Sequence, residues 1–315
     1  MIEFVSKRLS RHWFSKELNK ALGHVGLKLV RRDARIIDLR KVTNNLSEGF
    51  YRAGGSPFVV EVPLAGCRSL HTAAFPCTRE SNNPFVSTLL SYQNEACSGY
   101  ARSPLQEFHI GWQPSNAVEA LGLDPESASP DLASSPPFGW VLPWMSETPQ
   151  EFAAFWINIV AADYKAHGFR LDASHGWKVW GPVSDEAGNA EFSRLIRVYD
   201  SIRHRGYMRS SKRDGDITGT VLTKDSESRV LIGAGQHRVA VLAALGCDTA
   251  PVRIYSPHIR RSEVEYWPNV RSKLFSVEQA LEIFDRIYDG RQPPISSTEI
   301  NISSSRKVET AFVSP

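Results

Sequence analysis

The segment 229-RVLIGAGQHRVAVLAALGCDTAPVRIY-255 constrains the fold more than any other part of the chain. It predicts a strand at 229–232, a turn at Gly233-Ala234-Gly235, a helix at 236–245 and a further strand at 251–255. From Val239 to Leu245 the helix residues are almost all apolar, so only its first turn can meet solvent. Gln236, His237 and Arg238 occupy that turn. Two glycines allow positive φ and a close approach of backbone to a ligand. The first amides of a helix lack intrahelical partners and, with the helix dipole, favour an anion. Arg238 adds a forked donor suited to phosphate. His237 can donate a hydrogen bond or exchange a proton near neutral pH. Gln236 can contact a ligand but cannot serve as a base. Taken alone, the turn fits plain structure equally well: Gly235 ends a strand, Arg238 pairs with an acid and His237 packs.

The surrounding punctuation is clear from residue 148 onward. Thr148-Pro149-Gln150-Glu151 is a capping box with proline at the first helical position, opening a helix that Gly168 ends. Asn189 is a candidate cap for a second helix, with Phe192, Leu195, Ile196, Tyr199 and Ile202 at helical spacing and Gly206 as its stop. Residues 217–222 and 229–232 flank a polar turn and predict two strands. Ser276-Val277-Glu278-Gln279 is a second capping box, for a helix that Gly290 ends. Upstream, residues 51–147 are dense in Pro, Gly, Ser and Asn, with a short extended piece at 58–62 and a helical piece near 116–121. The expected fold class is therefore α+β. The expected organisation is a basic helical segment at 1–50, a loop-rich irregular subdomain at 51–147, a core at 148–291 and a disordered tail at 292–315.

Charge and cysteine use narrow the function classes. The formal net charge of +3 over 315 residues gives no general affinity for polyanions. Residues 1–41 nevertheless hold eleven lysines and arginines against four acids. That balance suits a solvated basic helix, with a partner or nucleic-acid role as the alternative. Cys67, Cys77, Cys97 and Cys247 show no C-x-x-C spacing, so free thiols in a reducing cytoplasm are expected, with no metal site. Charge interrupts residues 1–14 before a signal-peptide core can form, and the most apolar run, 152–162, is about half the length of a membrane span. The chain has no Walker A loop, no H-E-x-x-H and no G-x-S-x-G.

The order of elements carries a resemblance. A helix containing 195-LIRVYDSIRHRG-206, a strand pair, 235-GQHRVAVLAALG-246 and 251-PVRI-254 follow one another. Residues 178–256 thereby resemble the core of the ParB/sulfiredoxin-like superfamily. Sulfiredoxins carry a cysteine where Gln236 stands, so their chemistry is not expected here. Partition proteins of the superfamily carry G-E-R-R and a downstream helix-turn-helix. Here Gln236-His237 stands in that place and about sixty residues follow Ile254 without such a motif, so DNA partition is not expected. Free-serine kinases of the superfamily carry D-G-H-H-R and a catalytic glutamate. Gly235, His237 and Arg238 match that motif, Ala234 replaces its aspartate, and Glu191 is the stand-in for the glutamate. The chain also resembles a set of bacterial proteins with this core that share W-x-P-x-N-A-x-E-A-L-G-L, W-G-P-V-S and W-P-x-V-R-S motifs and whose genes lie beside surface-sugar genes. Here these correspond to Trp112 with Gln113 before Pro114, to Trp180 through Ser184, and to Trp267 through Ser272.

The resemblance implies a nucleotide or phosphorylated small molecule as ligand, with ATP or CTP and Mg²⁺ as the cofactors. It gives Glu191 and His237 catalytic roles, in phosphoryl transfer or nucleotide hydrolysis that would serve surface-polysaccharide metabolism. Gly233, Gly235, Gln236, Arg238 and Ser184 would hold the phosphate. The alternatives are a nucleotide sensor or adaptor without turnover, which Ala234 favours, and a nucleic-acid binder acting through the basic N-terminus. Lesser candidates around the same place are Arg205, Arg209, Lys212, Arg213, Asp214 and Asp216, and His258 with Arg260 and Arg261. Trp112, Trp140, Trp144 and Trp267 are expected in the core.

Overall fold

The computed structural model describes residues 36–209 and 216–294. Most of the basic helical segment expected at 1–50, together with Lys212, Arg213, Asp214 and residues 295–315 of the tail, lies outside the described residues.

Seven strands form one mixed sheet: β1 (Ile37–Asp38), β2 (Phe58–Pro63), β3 (Cys67–Ser69), β4 (Phe75–Pro76), β5 (Ile217–Lys224), β6 (Glu227–Ala234) and β7 (Thr249–Arg260), in the order β1-β2-β7-β5-β6-β3-β4. β5 and β6 make an antiparallel hairpin, β7 runs parallel to β5, and β2 runs antiparallel to β7. With ten α-helices among the described residues, this is the expected α+β class. In chain order these are α1 (Leu46–Ala53), α2 (Pro84–Gln93), α3 (Pro104–Gly111), α4 (Ala117–Leu121), α5 (Pro130–Ala133), α6 (Pro149–Ala166), α7 (Asp185–Arg205), α8 (Gln236–Ala244), α9 (Pro268–Arg271) and α10 (Val277–Asp289).

The sheet erases the boundary expected at residue 147. β2 supplies Phe58, Val59, Val60 and Val62 to the core and pairs with β7 over six residue pairs, while β3 pairs with β6. Residues 51–147 are thus built into the central sheet rather than forming a separate irregular subdomain. The sheet must also curl. β2 and β3 stand four strand spacings apart, about 19 Å in a flat sheet, yet only the 3₁₀ turn Leu64–Gly66 joins them. A link that short reaches at most about 14 Å. β6 is buried on both faces through Val230, Leu231 and Ile232, which is why it reads as a continuous apolar run.

Helix punctuation in the second half follows the sequence. Thr148 and Glu151 form the capping box of α6, and Ser276 and Gln279 form that of α10, which Gly290 ends in a left-handed cap. The start of α7 differs from expectation. Ser184, not Asn189, is its cap: the Ser184 hydroxyl accepts from the Ala187 amide at 3.2 Å. Asn189 lies inside the helix and donates its side-chain amide to the Asp185 carbonyl at 2.7 Å. Gly188, also inside the helix, is a packing position. A Cβ there would sit 2.1 Å from the Tyr100 ring, so α7 approaches that ring closer than any other residue permits. Trp112, Trp140, Trp144 and Trp267 are buried, as expected.

Candidate functional site

α8 enters the site from β6 through Gly235, whose φ is +84°. A Cβ there would meet the Ile217 backbone at 3.0 Å, so both conformation and space call for glycine. Gly235→Ala is expected to lower stability by about 1–2 kcal/mol from the left-handed conformation alone. Chemical denaturation measures this directly. The first hydrogen bond of the helix runs from the Val239 amide to the Gly235 carbonyl at 3.0 Å. The amides of residues 236–238 precede it and lack intrahelical partners.

The three side chains of this turn divide their tasks. Gln236 is buried, and both ends of its amide are bound to backbone. Its oxygen accepts from the Leu70 amide at 3.0 Å and its nitrogen donates to the Ile232 carbonyl at 2.8 Å. The ligand contact expected of Gln236 gives way to a clamp between β6 and the turn after β3. His237 Nε2 lies 2.6 Å from Glu191 Oε1. Arg238 lines the cavity in front of the turn.

Glu191, in the second turn of α7, is 3% exposed and sits behind His237. Its other oxygen accepts from Arg194 Nη1 at 3.0 Å. Arg194 in turn grips Asp163 of α6 with both terminal nitrogens, at 2.9 and 3.3 Å. Lys178 stands 4.0 Å from the same carboxylate. His167 donates from Nδ1 to the Asp163 carbonyl at 2.8 Å, which leaves its Nε2 to accept from Arg194 at 3.4 Å. Burial alone would raise the Glu191 carboxyl, but His237 and the Arg194 charge outweigh it and hold it well below the usual range. Burial lowers His237 against the pull of Glu191. The pair is then a carboxylate and a neutral imidazole, with Nε2–H donated to Glu191. Nδ1 has no hydrogen-bond partner among the described residues.

A cavity of about 570 Å³ opens before this pair. Gly233, Gly235, Gln236, His237 and Arg238 line it. Glu191 does not reach it, so its place is to orient His237 rather than to act as a base. Ser184 is also absent from its walls, because the hydroxyl is spent on the α7 cap. The cavity gains residues that sequence reasoning missed. α6 contributes Trp156, Val160 and Asp163, with His167 from its C-cap, and α7 contributes Arg194 and Arg197 beside Arg205, which the sequence places near the site. Lys178 completes a set of five cationic side chains against one carboxylate among the described lining residues. The α6 stripe was readable: polar residues at 163 and 167 interrupt an otherwise apolar face at helical spacing.

Of the lesser candidates, Arg205 lines the cavity, and the other described ones lie elsewhere. Asp216 is buried between Arg209, at 2.6 Å, and Arg253. His258 bonds Thr223 at 2.7 Å and stacks on Phe50. Arg260 pairs with Glu263, and Arg261 with Asp285. Among the described residues, no group of three or more His, Cys, Asp or Glu side chains could hold a metal ion. The Asp163 carboxylate is already engaged by Arg194 and Lys178. The four cysteines are free thiols. No helix among the described residues is long and apolar enough to cross a membrane. No protein-family model, curated protein or solved structure matches the chain.

Proposed function

We propose that the cavity binds the phosphate of a nucleotide or phosphorylated small molecule on the first turn of α8, and that His237 serves as the base for phosphoryl transfer or hydrolysis there. The observation that carries this reading is the 2.6 Å contact between Glu191 and His237 at the edge of a cavity lined by five cations. The resemblance of residues 178–256 to the ParB/sulfiredoxin-like core supports it. The first-turn amides and Arg238 receive the phosphate oxygens. Glu191 holds His237 in the tautomer that leaves Nδ1 unprotonated. Nδ1 takes the proton of an attacking hydroxyl or water as its oxygen bonds phosphorus and the phosphorus–oxygen bond to the leaving group breaks. Mg²⁺, which the resemblance implies, does not fit a vacant carboxylate site in these walls and would arrive bound to a polyphosphate.

A second reading is a sensor that binds the same ligand without turnover. It rests on Ala234, which stands where the free-serine kinases carry aspartate and offers no carboxylate beside the turn.

A thermal-shift panel of ATP, ADP, CTP, GTP and sugar nucleotides, with and without Mg²⁺, tests both. A ligand at a hundredfold excess over its dissociation constant stabilises the fold by about 3 kcal/mol. Arg238→Ala is expected to lose that shift. His237→Gln is expected to keep most of it and to lose turnover, if the protein is an enzyme. A sensor gives binding and no product with the wild type. A panel in which nothing shifts the melting of the wild type defeats the phosphate site.

A further inference from the structure

One buried side chain in the cavity takes no part in the phosphate site. His71 is 6% exposed and lines the same cavity as His237. Its ring has no hydrogen-bond partner among the described residues. Aromatic rings surround it instead: Trp140 at 5.0 Å, Trp156 at 5.2 Å and Trp177 at 5.5 Å between centroids. The residue as a whole is buried, but its ring nitrogens are not among the sealed, unpartnered polar atoms, and His71 belongs to the cavity wall, from which a ligand can supply a partner.

The backbone that presents it is also strained. Leu70 and His71 both have left-handed φ, +59° and +53°, and neither is glycine. Such a conformation costs about 1–2 kcal/mol per residue. It is held in place by the Gln236 clamp on the Leu70 amide and by the Ala73 amide bonded to the Leu70 carbonyl at 3.0 Å. The residue beside the proposed base therefore fixes the turn that carries His71. Strain of this kind, maintained by surrounding structure, is a feature of ligand sites.

We infer that His71 is a recognition residue for an uncharged hydroxyl group, carried on a sugar or polyol whose phosphate occupies the α8 turn. This rests on the phosphate site proposed above. Burial drives the His71 imidazole down to about 3, with the Lys178 charge pushing the same way, so the ring is neutral at neutral pH. A neutral imidazole offers one donor and one acceptor, which is the complement of an alcohol and not of a second phosphate or a carboxylate. Trp156 and Trp177 flank it with C–H and ring surface. They touch one another, at 4.7 Å between centroids and a 46° tilt, and so leave no slot for a flat base between them. A ring edge with hydroxyls suits such a corner better than a stacked purine does.

The test compares three probes by isothermal titration: inorganic phosphate, ribose 5-phosphate and AMP. Ribose 5-phosphate is expected to bind at least tenfold more tightly than inorganic phosphate. His71→Phe keeps a ring and is expected to remove that advantage while leaving phosphate affinity within about twofold of wild type. His71→Asn tolerates left-handed backbone and is expected to keep part of it, which guards against a loss caused by misfolding. Equal affinity for phosphate and ribose 5-phosphate overturns the inference, as does an advantage that survives in His71→Phe. An AMP affinity well above that of ribose 5-phosphate and lost in His71→Phe assigns the corner to a base and also overturns it. If inorganic phosphate itself fails to bind, and Arg238→Ala changes nothing for any probe, it is the phosphate site that fails.

Discussion

Glu191→Ala is expected to destabilise the protein by about 3–5 kcal/mol, the usual cost of removing one member of a buried ion pair. The loss is not the value of the contact. It is the penalty of leaving Arg194, whose side chain is 8% exposed, without one of its two carboxylates, and His237 without its acceptor. Asp163 remains to Arg194, which places the result toward the lower end of that range. Urea unfolding at pH 7.5 is the measurement. A loss below about 1 kcal/mol would mean that Arg194 is satisfied by Asp163 alone, and that Glu191 is held in place for His237 rather than for the fold. Glu191→Gln keeps the shape and an acceptor for His237, but it turns an amide toward the guanidinium. It separates charge from geometry, and it should lower any turnover more than it lowers stability.

Acid is expected to weaken the fold well before the carboxylates titrate. His71 and His109 are lowered by burial to about 3 and about 4. His109 is fixed neutral between the Tyr100 hydroxyl at 2.9 Å and the Lys178 carbonyl at 3.3 Å. In the unfolded chain both rings return to about 6.5. Their folded pKa values are depressed, so between about pH 6.5 and 4 the unfolded state binds more protons, and stability falls as pH falls. At pH 5 each ring accounts for roughly 2 kcal/mol, so the pair lowers stability by about 4 kcal/mol relative to pH 7.5. His237 is lowered too and adds in the same direction. Urea midpoints at the two pH values give the result, and His71→Phe should remove about half of the slope. Flat stability over this range would show that both rings accept protons in the folded state.

The legible parts of the sequence were those where local chemistry decides structure. Two capping boxes, the helix starting at Gln236 and the Gly290 stop all stand where the residues put them. The cap of α7 was placed at Asn189 rather than Ser184, and the glycine before Asn189, inside the helix, packs on Tyr100, 88 residues away in the chain. The first half was illegible for a similar reason. Its strands are only two to six residues long; the piece read at 58–62 is β2, but β2 and β3 find β7 and β6 far along the chain, so no local period announces the sheet they join. At the site, the two residues offered as catalytic do meet, since both lie on strongly patterned helices. His71 had no signal at all. It is an isolated histidine in a 3₁₀ turn, and only the fold brings it beside α8.

The pairing of β2 with β7 also sets a timetable. Phe58 waits for Ile254, and Pro63 for Thr249. About 190 residues separate the two strands, which a ribosome adds in roughly 10–40 s at 5–20 residues per second. Through that interval the stretch Phe58-Val59-Val60-Glu61-Val62 has only the two-residue β1 to pair with, its β7 edge stays open, and its apolar side chains need shelter from other growing chains.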